Sequence, residues 1–229
     1  MKKIYVSAML LCASTVVLAQ SQDAKPVDQH AQKPIAGERV AQQLGNFDAL
    51  VVQTTADVRY VVSNKNAVTV RGANPVAAGI QISVQPVPGE YGNAAALTIR
   101  AEKGGLQQGV EVVVMGPSPK LVYASGTGDI QVEGVSGDKL QVVQKGTGDI
   151  RVNGRVNRVE VQLMGSGDIE LDELQADSAK VQLNGSGDVE VQASKTLQVD
   201  LRGAGDVKVR GNPSSRQISN IGAGDISFH

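Results

Sequence analysis

Six aspartates in the second half of the chain form the pattern that is most able to do chemistry. Each follows Gly-Xaa-Gly, where Xaa is Thr, Ser or Ala, and each precedes Ile or Val. Successive aspartates are 20, 19, 20, 18 and 19 residues apart, which indicates a structural repeat. The aspartates are Asp129, Asp149, Asp168, Asp188, Asp206 and Asp225, and the glycines are Gly126, Gly128, Gly146, Gly148, Gly165, Gly167, Gly185, Gly187, Gly203, Gly205, Gly222 and Gly224.

The motif predicts a tight corner and leaves one chemical alternative open. Glycine permits a positive φ and keeps a turn thin, and aspartate accepts hydrogen bonds from nearby backbone N–H groups, so we expect structural turn residues. Stacked carboxylates would lie roughly 5 Å apart and repel, and calcium favours several such oxygen ligands. Known calcium repeats instead carry Gly-Gly-Xaa-Gly-Xaa-Asp every nine residues. The sequence therefore assigns no metal ligand, and a calcium ladder on the six aspartates is the alternative.

Few residues of the chain are suited to nucleophilic catalysis. Cys12 is the only cysteine and lies in an apolar N-terminal run, while the two histidines, His30 and His229, lie outside the repeats and at the last position. Thiol or Ser-His-Asp chemistry needs such residues inside a packed site. We therefore predict a protein that is not an enzyme and assign no catalytic residue. A β-helical carbohydrate-active enzyme that uses exposed aspartates is the second functional alternative.

Two short alternating runs in each repeat must position the corner. After Asp149, for example, Ile150 and Val152 alternate with polar residues, and Val161 and Leu163 do so before the next glycine pair. Because side chains alternate between the two faces of a strand, these apolar residues point into one core. An all-β repeat of about 19 residues with two or three strands predicts one coil of a parallel β-helix, or solenoid.

The outward rows of these strands carry charges of both signs. One row is Gln131, Arg151, Glu170, Glu190 and Lys208, and the other is Glu133, Asn153, Asp172, Gln192 and Arg210. Mixed rows are typical of a solvated face, so neither row alone indicates a partner.

The region before the repeats predicts six more strands. Short alternating apolar runs recur near residues 50, 60, 70, 82, 98 and 112, and clusters of Gly, Pro and Asn separate them. We assign residues 45–120 to this N-terminal strand region and residues 121–229 to the repeats. Coils of the same helix and a separate sheet both fit the alternation.

The N-terminal residues predict export. Lys2 and Lys3 precede an apolar run of about 15 residues, which is shorter than the roughly 20 needed to span a membrane. A cleavage site after Ala19 makes residues 1–19 a predicted Sec signal peptide. Residues 20–44 are polar and rich in Gln, and they predict a flexible leader with a short helical turn near residues 38–44.

Three further features together point to a known family. They are the Phe47–Val52 strand with its successors at residues 56–60 and 67–72, the stretch from Val110 to Leu121, and the run of Gly-Xaa-Gly-Asp corners. On these features, residues 45–229 resemble the family of putative auto-transporter adhesins with a head GIN domain. The resemblance implies a right-handed β-helix, bacterial export and a role in the envelope or in adhesion, and it implies no catalytic residues.

We therefore expect a non-enzymatic protein of the periplasm or cell surface whose β-helical scaffold binds an envelope protein or a glycan. A divalent-cation-binding repeat protein is the first functional alternative. Without Lys2 and Lys3 the chain has 20 basic and 23 acidic residues, which is not the basic footprint of a nucleic-acid-binding protein. The last coil, ending at Ser227–His229, would present an open strand edge, so we also predict end-to-end homo-oligomers or a capping partner.

Overall fold

The computed structural model describes the backbone of residues 38–41 and all atoms of residues 44–72, 79–86, 95–101 and 109–229. The predicted signal peptide and the leader up to residue 37 lie outside these residues. Every regular element of the described part is a β-strand. It contains no helix long and apolar enough to cross a membrane.

The strands of the described part belong to one continuous sheet that winds around a core. They are β1 (Glu38–Ala41), β2 (Ala49–Gln53), β3 (Asp57–Val62), β4 (Ala67–Gly72), β5 (Ile80–Pro86), β6 (Ala95–Ala101), β7 (Val110–Gly116), β8 (Leu121–Ala124), β9 (Ile130–Gln144), β10 (Ile150–Leu163), β11 (Ile169–Leu171), β12 (Leu174–Leu183), β13 (Val189–Gln192), β14 (Thr196–Leu201), β15 (Val207–Arg210), β16 (Ser215–Asn220) and β17 (Ile226–Phe228).

The repeats fold as the predicted parallel β-helix. Strand β10 pairs in parallel with β9 on one side and with β11 and β12 on the other, and the later strands continue the same two ladders. The residues that follow the six aspartates stand in one register column: Ile130, Ile150, Ile169, Val189, Val207 and Ile226. Equivalent positions of successive repeats therefore lie directly on one another, as a solenoid requires.

The interior of the solenoid is a narrow apolar core. Leu140, Val161, Val181 and Leu197 from one ladder are at most 1% exposed and share one buried cluster with the Ile150 column of the other ladder. Fully burying one such side chain stabilises the fold by about 1.5–3 kcal/mol. Because each coil adds a few of these residues, the apolar positions of every repeat contribute to one continuous core.

The six strands predicted before the repeats are all present, as β2 to β7. Strand β2 pairs in parallel with β8, and β3 pairs in parallel with the first residues of β9. On their other side, β2 and β3 pair in parallel with β6 and β7. The N-terminal strands are therefore coils of the same helix rather than a separate sheet.

Antiparallel strands close the N-terminal end of the stack. Strand β5 pairs with β6, β4 pairs with β7, and β1 pairs with β4 from Glu38 opposite Arg71 to Ala41 opposite Val68. The assignment of residues 38–41 to a flexible leader with a helical turn was therefore wrong. The edge of β4 offers backbone donors and acceptors, and strand pairing satisfies them along with those of β1.

The solenoid presents three outer faces. The first face contains the strands that follow the aspartates, including residues 130–133 and 150–153, and the second contains the strands that precede the glycine pairs, including residues 140–144 and 159–163. The third face is a short parallel ladder of residues 135–137, 154–156 and 174–176. Strands β9 and β10 bend from the first to the third face at Gly134 and Gly154, whose φ angles are +80° and +134°.

Candidate functional site

The Gly-Xaa-Gly-Asp corners lie on one another along the edge between the second and first faces. In each rung the backbone N–H of Xaa donates to the carbonyl oxygen of the first glycine in the rung before it. Thr147 N lies 3.2 Å from Gly126 O, and Ser166 N lies 3.2 Å from Gly146 O. The corners are thus part of the hydrogen-bonded ladder, although the chain is turning there.

Close approach explains the two glycines of each corner. A Cβ atom on Gly146 would lie 1.9 Å from the carbonyl oxygen of Gly126, and one on Gly148 would lie 2.2 Å from that of Gly128. At all twelve corner glycines an added Cβ would lie 1.8–2.2 Å from its nearest neighbour, and none of the twelve has a φ between +20° and +160°. The expectation that these glycines supply a positive φ was therefore wrong. The other expectation, that they keep the corner thin, agrees with the structure, because a Cβ would collide with the rung before it.

The aspartates form a hydrogen-bonded ladder of their own. From Asp129 to Asp206, each carboxylate Oδ1 accepts a hydrogen bond from the backbone N–H of the aspartate in the following rung. The five N···Oδ1 distances, from Asp149 onto Asp129 through to Asp225 onto Asp206, are 2.9, 3.0, 2.7, 2.8 and 2.8 Å. Hydrogen bonds to a charged acceptor each contribute about 1.5–3 kcal/mol when they are well formed. The carboxylates therefore connect successive coils at the point where the backbone turns.

A seventh aspartate belongs to the ladder and was missed in the sequence. Asp57 ends the corner Thr54-Thr55-Ala56-Asp57, and its Oδ1 accepts from the N–H of Asp129 at 3.1 Å. Thr54 takes the place of the first glycine, since its carbonyl oxygen accepts from Thr127 N at 3.2 Å. The corner lacks both glycines, so a search for Gly-Xaa-Gly passes over it. The remaining signal was an aspartate followed by the alternating pair Val58 and Tyr60.

The ladder engages only part of each carboxylate. One oxygen of each carboxylate up to Asp206 already accepts a backbone hydrogen bond, and Asp149 Oδ2 also lies 3.7 Å from Arg151 Nη2. In the described residues, no three His, Cys, Asp or Glu side chains are grouped so that they could hold a metal ion. The ladder therefore gives the carboxylates a structural role, and cation binding by their second oxygens stays an alternative.

The charged rows of the first face are joined by ion pairs across the coils. Arg151 makes two hydrogen bonds to Glu170, with Nε and Nη2 at 2.7 and 2.8 Å, and Lys208 Nζ lies 2.9 Å from Glu190 Oε1. In the second row, Arg210 Nη1 lies 2.9 Å from Asp172 Oδ2. The Glu170 carboxylate raises the pKa of Arg151, and the Glu190 carboxylate raises that of Lys208. Opposite charges on this face therefore largely satisfy one another.

The last described coil carries polar residues where earlier coils are apolar. Arg216 stands in register with Leu197, and Asn220 stands in register with Leu201. The guanidinium of Arg216 lies 4.3 Å from the centroid of the Phe228 ring, and Asn220 Nδ2 donates to Gly224 O at 2.9 Å. Ile218, Ile221 and Phe228 of the same coil are exposed, so the cover at this end of the described stack is only partly polar. End-to-end association through this coil stays a prediction.

Concave surface occurs at both ends of the third face. A cleft of about 590 Å³ lies beside residues 118–121 and 136–139, where Lys120 Nζ pairs with Asp48 Oδ2 at 3.0 Å. A second cleft of about 570 Å³ lies where the ladder ends after β12. Neither was predicted from the sequence. The only signal was the short separation of 18 residues between Asp188 and Asp206, which shows that one coil loses residues but not from which face.

Comparison with known proteins gives the chain a family and a fold. Residues 46–213 match the family described as putative auto-transporter adhesin, head GIN domain. The crystal structure of a putative adhesin from Bacteroides fragilis is 20% identical with a TM-score of 0.65, and the match covers 86% of this chain and 99% of that one.

A putative adhesin from Parabacteroides distasonis is 17% identical with a TM-score of 0.50, and the match covers 84% of this chain and 96% of that one. None of the curated proteins compared with the chain matches it. At these identities the two solved structures support the fold alone.

Proposed function

Because the chain belongs to the head GIN domain family of putative auto-transporter adhesins, we propose that it is an exported, non-enzymatic scaffold that binds a protein or a glycan at the bacterial envelope. The family and both solved relatives are described as putative adhesins. The fold described above gives this proposal its physical basis.

The observation that carries the proposal is the rigid stack of outward side chains. From β2 to β17 the strands are locked in register by backbone pairing, and the corners add glycine contacts and aspartate hydrogen bonds. A surface that is already ordered loses little conformational entropy when a partner binds. Such a surface is suited to recognition, because its side chains stand at fixed spacings before the partner arrives.

The side chains of the described part favour binding over catalysis. His229 is exposed, and its Nε2 lies 3.3 Å from Ser227 Oγ, whereas a catalytic triad is held within a packed site. The aspartates that could act as acid and base are engaged with backbone N–H groups of the next rung. We therefore assign no reaction to the corner ladder.

Binding is tested with the chain from residue 20 onward, immobilised and exposed to an envelope fraction and to a glycan array, with and without calcium. We expect saturable capture of one component, reproduced with that component in purified form. Gly165→Ala, which should disturb the stack around its coil, should bind more weakly, whereas Gly45→Ala, whose added Cβ meets no neighbour within 4 Å, is the matched control and should bind like the wild type. Absence of saturable binding in both assays would contradict the proposal, and cleavage of an acidic polysaccharide would show an enzyme instead.

Export is tested separately from binding. The proposal requires that the mature protein begin at Gln20 and be recovered from the periplasm or the cell surface. N-terminal sequencing of the protein from fractionated cells measures this directly. A chain that keeps Met1 and stays in the cytoplasm would contradict the envelope location while leaving the fold unaffected.

A further inference from the structure

The second cleft of the third face exists because the coils become shorter. Strand β12 runs along the third face from Leu174, but the next coil passes from β13 to β14 through residues 193–195 alone. Backbone N–H groups of Ser194 and Lys195 donate to the carbonyl oxygens of Ala176 and Asp177, at 3.0 and 2.8 Å. The short turn is therefore fixed against the ladder, and a step of defined shape results. We call this the step cleft.

The step cleft is lined mainly by planar polar side chains. They are Arg155, Asn157, Gln175, Asp177, Gln192 and Asn212. Several are held in place by one partner: Arg155 donates to Gln175 Oε1, Asp177 Oδ2 lies 2.8 Å from Lys195 Nζ, and Asn212 Oδ1 accepts from Arg216 at 2.7 Å. These bonds do not use the amide nitrogens of Gln175 and Asn212. The amide groups of Gln175 and Asn212 are therefore oriented donors in the lining of the cleft.

Two classes of ligand fit this lining poorly. An apolar ligand would need apolar surface, yet Val156, Ala176 and Ala193 in the lining are only 3%, 5% and 0% exposed. A peptide that adds as a strand would need a vacant ladder edge. At this step the carbonyl oxygens of Ala176 and Asp177 already accept hydrogen bonds from the turn. The ligand must therefore be recognised through polar side chains.

The lining of the step cleft contains one positive and one negative side chain, which favours a neutral ligand over an ionic one. Arg155 is cationic, and Asp177 is anionic because the hydrogen bond from Lys195 lowers the pKa of its carboxyl group. Arg155 and Asp177 are the charged side chains of the lining, one of each sign, and Lys195, which pairs with Asp177, adds a single positive charge beside the cleft. So small a net charge does not select a strongly acidic or basic group. Amide and guanidinium groups can each donate to adjacent hydroxyl oxygens, which are the groups that a sugar presents.

We propose that the step cleft is a binding site for a neutral oligosaccharide, held by Gln175, Gln192 and Asn212 through its hydroxyl groups. This inference rests on the proposed function and names the ligand class for one of its faces. The volume of about 570 Å³ lies within the ~300–1,000 Å³ range of sites for small ligands.

The test is an NMR titration of the ¹⁵N-labelled mature protein with maltotriose, cellotriose, mannotriose and chitotriose. We expect at least one of these sugars to shift the side-chain amide signals of Gln175, Gln192 and Asn212 in a saturable manner. The double variant Gln175→Ala/Asn212→Ala should bind that sugar about tenfold or more weakly, since it loses two hydrogen bonds. The matched control is Gln162→Ala/Gln198→Ala on the second face, and its affinity should not change.

Two results would overturn the inference without affecting the proposed function. One is the absence of saturable shifts at the step cleft with all four sugars at millimolar concentration, while the envelope pull-down still captures a partner. The other is an unchanged affinity in a double variant that melts like the wild type. Failure of the pull-down and of the glycan array together would instead contradict the proposed function.

Discussion

The corner at residues 54–57 and the six later corners perform the same turn with different residues. The first corner has an aspartate but no glycine, whereas each later corner has both. A Cβ on either corner glycine would point at the rung before it, and each carboxylate up to Asp206 accepts from the rung after it. This corner keeps only the forward-facing aspartate, and the turn between β6 and β7, which pair with β2 and β3 on the other side, lies outside the described residues. The glycines of the motif are therefore required by the preceding rung, and the aspartate is required by the following rung.

The largest effect is expected when a corner glycine in the middle of the stack gains a side chain. In Gly165→Ala the new Cβ would lie 1.9 Å from the carbonyl oxygen of Gly146, and its three nearest neighbours are all backbone atoms, so the coils must separate. We expect the free energy of unfolding to fall by about 3 kcal/mol or more, measured by urea denaturation. Gly45→Ala, where the added Cβ has no neighbour within 4 Å, is the matched control.

The reverse substitution at the first corner distinguishes the two regions. Ala56→Gly introduces the residue that the later corners require, but there it relieves no close contact with a described rung. Its effect should be at most about 1 kcal/mol and destabilising, since glycine only adds conformational freedom to the unfolded chain. A stability gain comparable to the loss in Gly165→Ala would show that the glycines serve the turn itself.

An intermediate effect is expected from the aspartate ladder. Asp168→Ala removes the acceptor for the backbone N–H of Asp188, which lies 2.7 Å from Asp168 Oδ1. Leaving this partly buried donor without its partner should cost about 1–2 kcal/mol in thermal or urea unfolding. Asp168→Asn keeps an acceptor oxygen and should lose less.

The last aspartate of the ladder provides the control for this prediction. Asp225 donates to Asp206 through its backbone, but no described aspartate follows it. Asp225→Ala should therefore change stability by less than about 0.5 kcal/mol. Equal losses at Asp168 and Asp225 would contradict the claim that the carboxylates act on the following coil.

A smaller effect is expected from the ion pairs of the first face. Arg151→Gln removes the paired guanidinium, but both partners are exposed enough for water to screen them, with side chains 48% and 36% accessible. The loss in free energy of unfolding should be about 0.5 kcal/mol and should shrink at high salt. A loss as large as that of Asp168→Ala would mean that the faces, rather than the corners, stabilise the stack.

The smallest effect is expected from divalent cations. Since one oxygen of each carboxylate up to Asp206 accepts a backbone N–H, calcium and chelators should leave the melting temperature unchanged. Differential scanning calorimetry measures this on the same protein. A rise in melting temperature that saturates with calcium, and that Asp168→Asn abolishes, would show that the ladder is a cation site after all.

Much of the fold could be predicted from the sequence, because the repeat and the alternation of apolar and polar residues are visible within short stretches of the chain. The register of Ile150 with Ile169 follows once equivalent positions stack. Alternation is the same in parallel and antiparallel strands, so the antiparallel closure by β4 and β5 could not be predicted. The pairing of β1 was likewise hidden, because a strand of four residues carries almost no periodic signal.

The site was less accessible to prediction, since its properties depend on neighbours distant in sequence. Glycine can supply a positive φ or make room for a close neighbour. The second use is shown only by the 1.9 Å that would separate a Cβ on Gly146 from the carbonyl oxygen of Gly126. Asp57 lies 72 residues before Asp129, so its place in the ladder depends on how the chain between them is routed. The step cleft depends on which face of a shortened coil loses residues, and spacing alone does not reveal that.

NMR can detect directly whether each corner aspartate from Asp57 to Asp206 is a hydrogen-bond acceptor for the next coil. In deuterated protein labelled with ¹³C and ¹⁵N, a hydrogen bond transmits a scalar coupling between the donor nitrogen and the acceptor carboxylate carbon. We predict this coupling from the amide of Asp188 to the carboxylate of Asp168, and at the other rungs from Asp129 to Asp225. Absence of these couplings, with the carboxylate signals responding to calcium instead, would show that the carboxylates bind cations rather than the next coil.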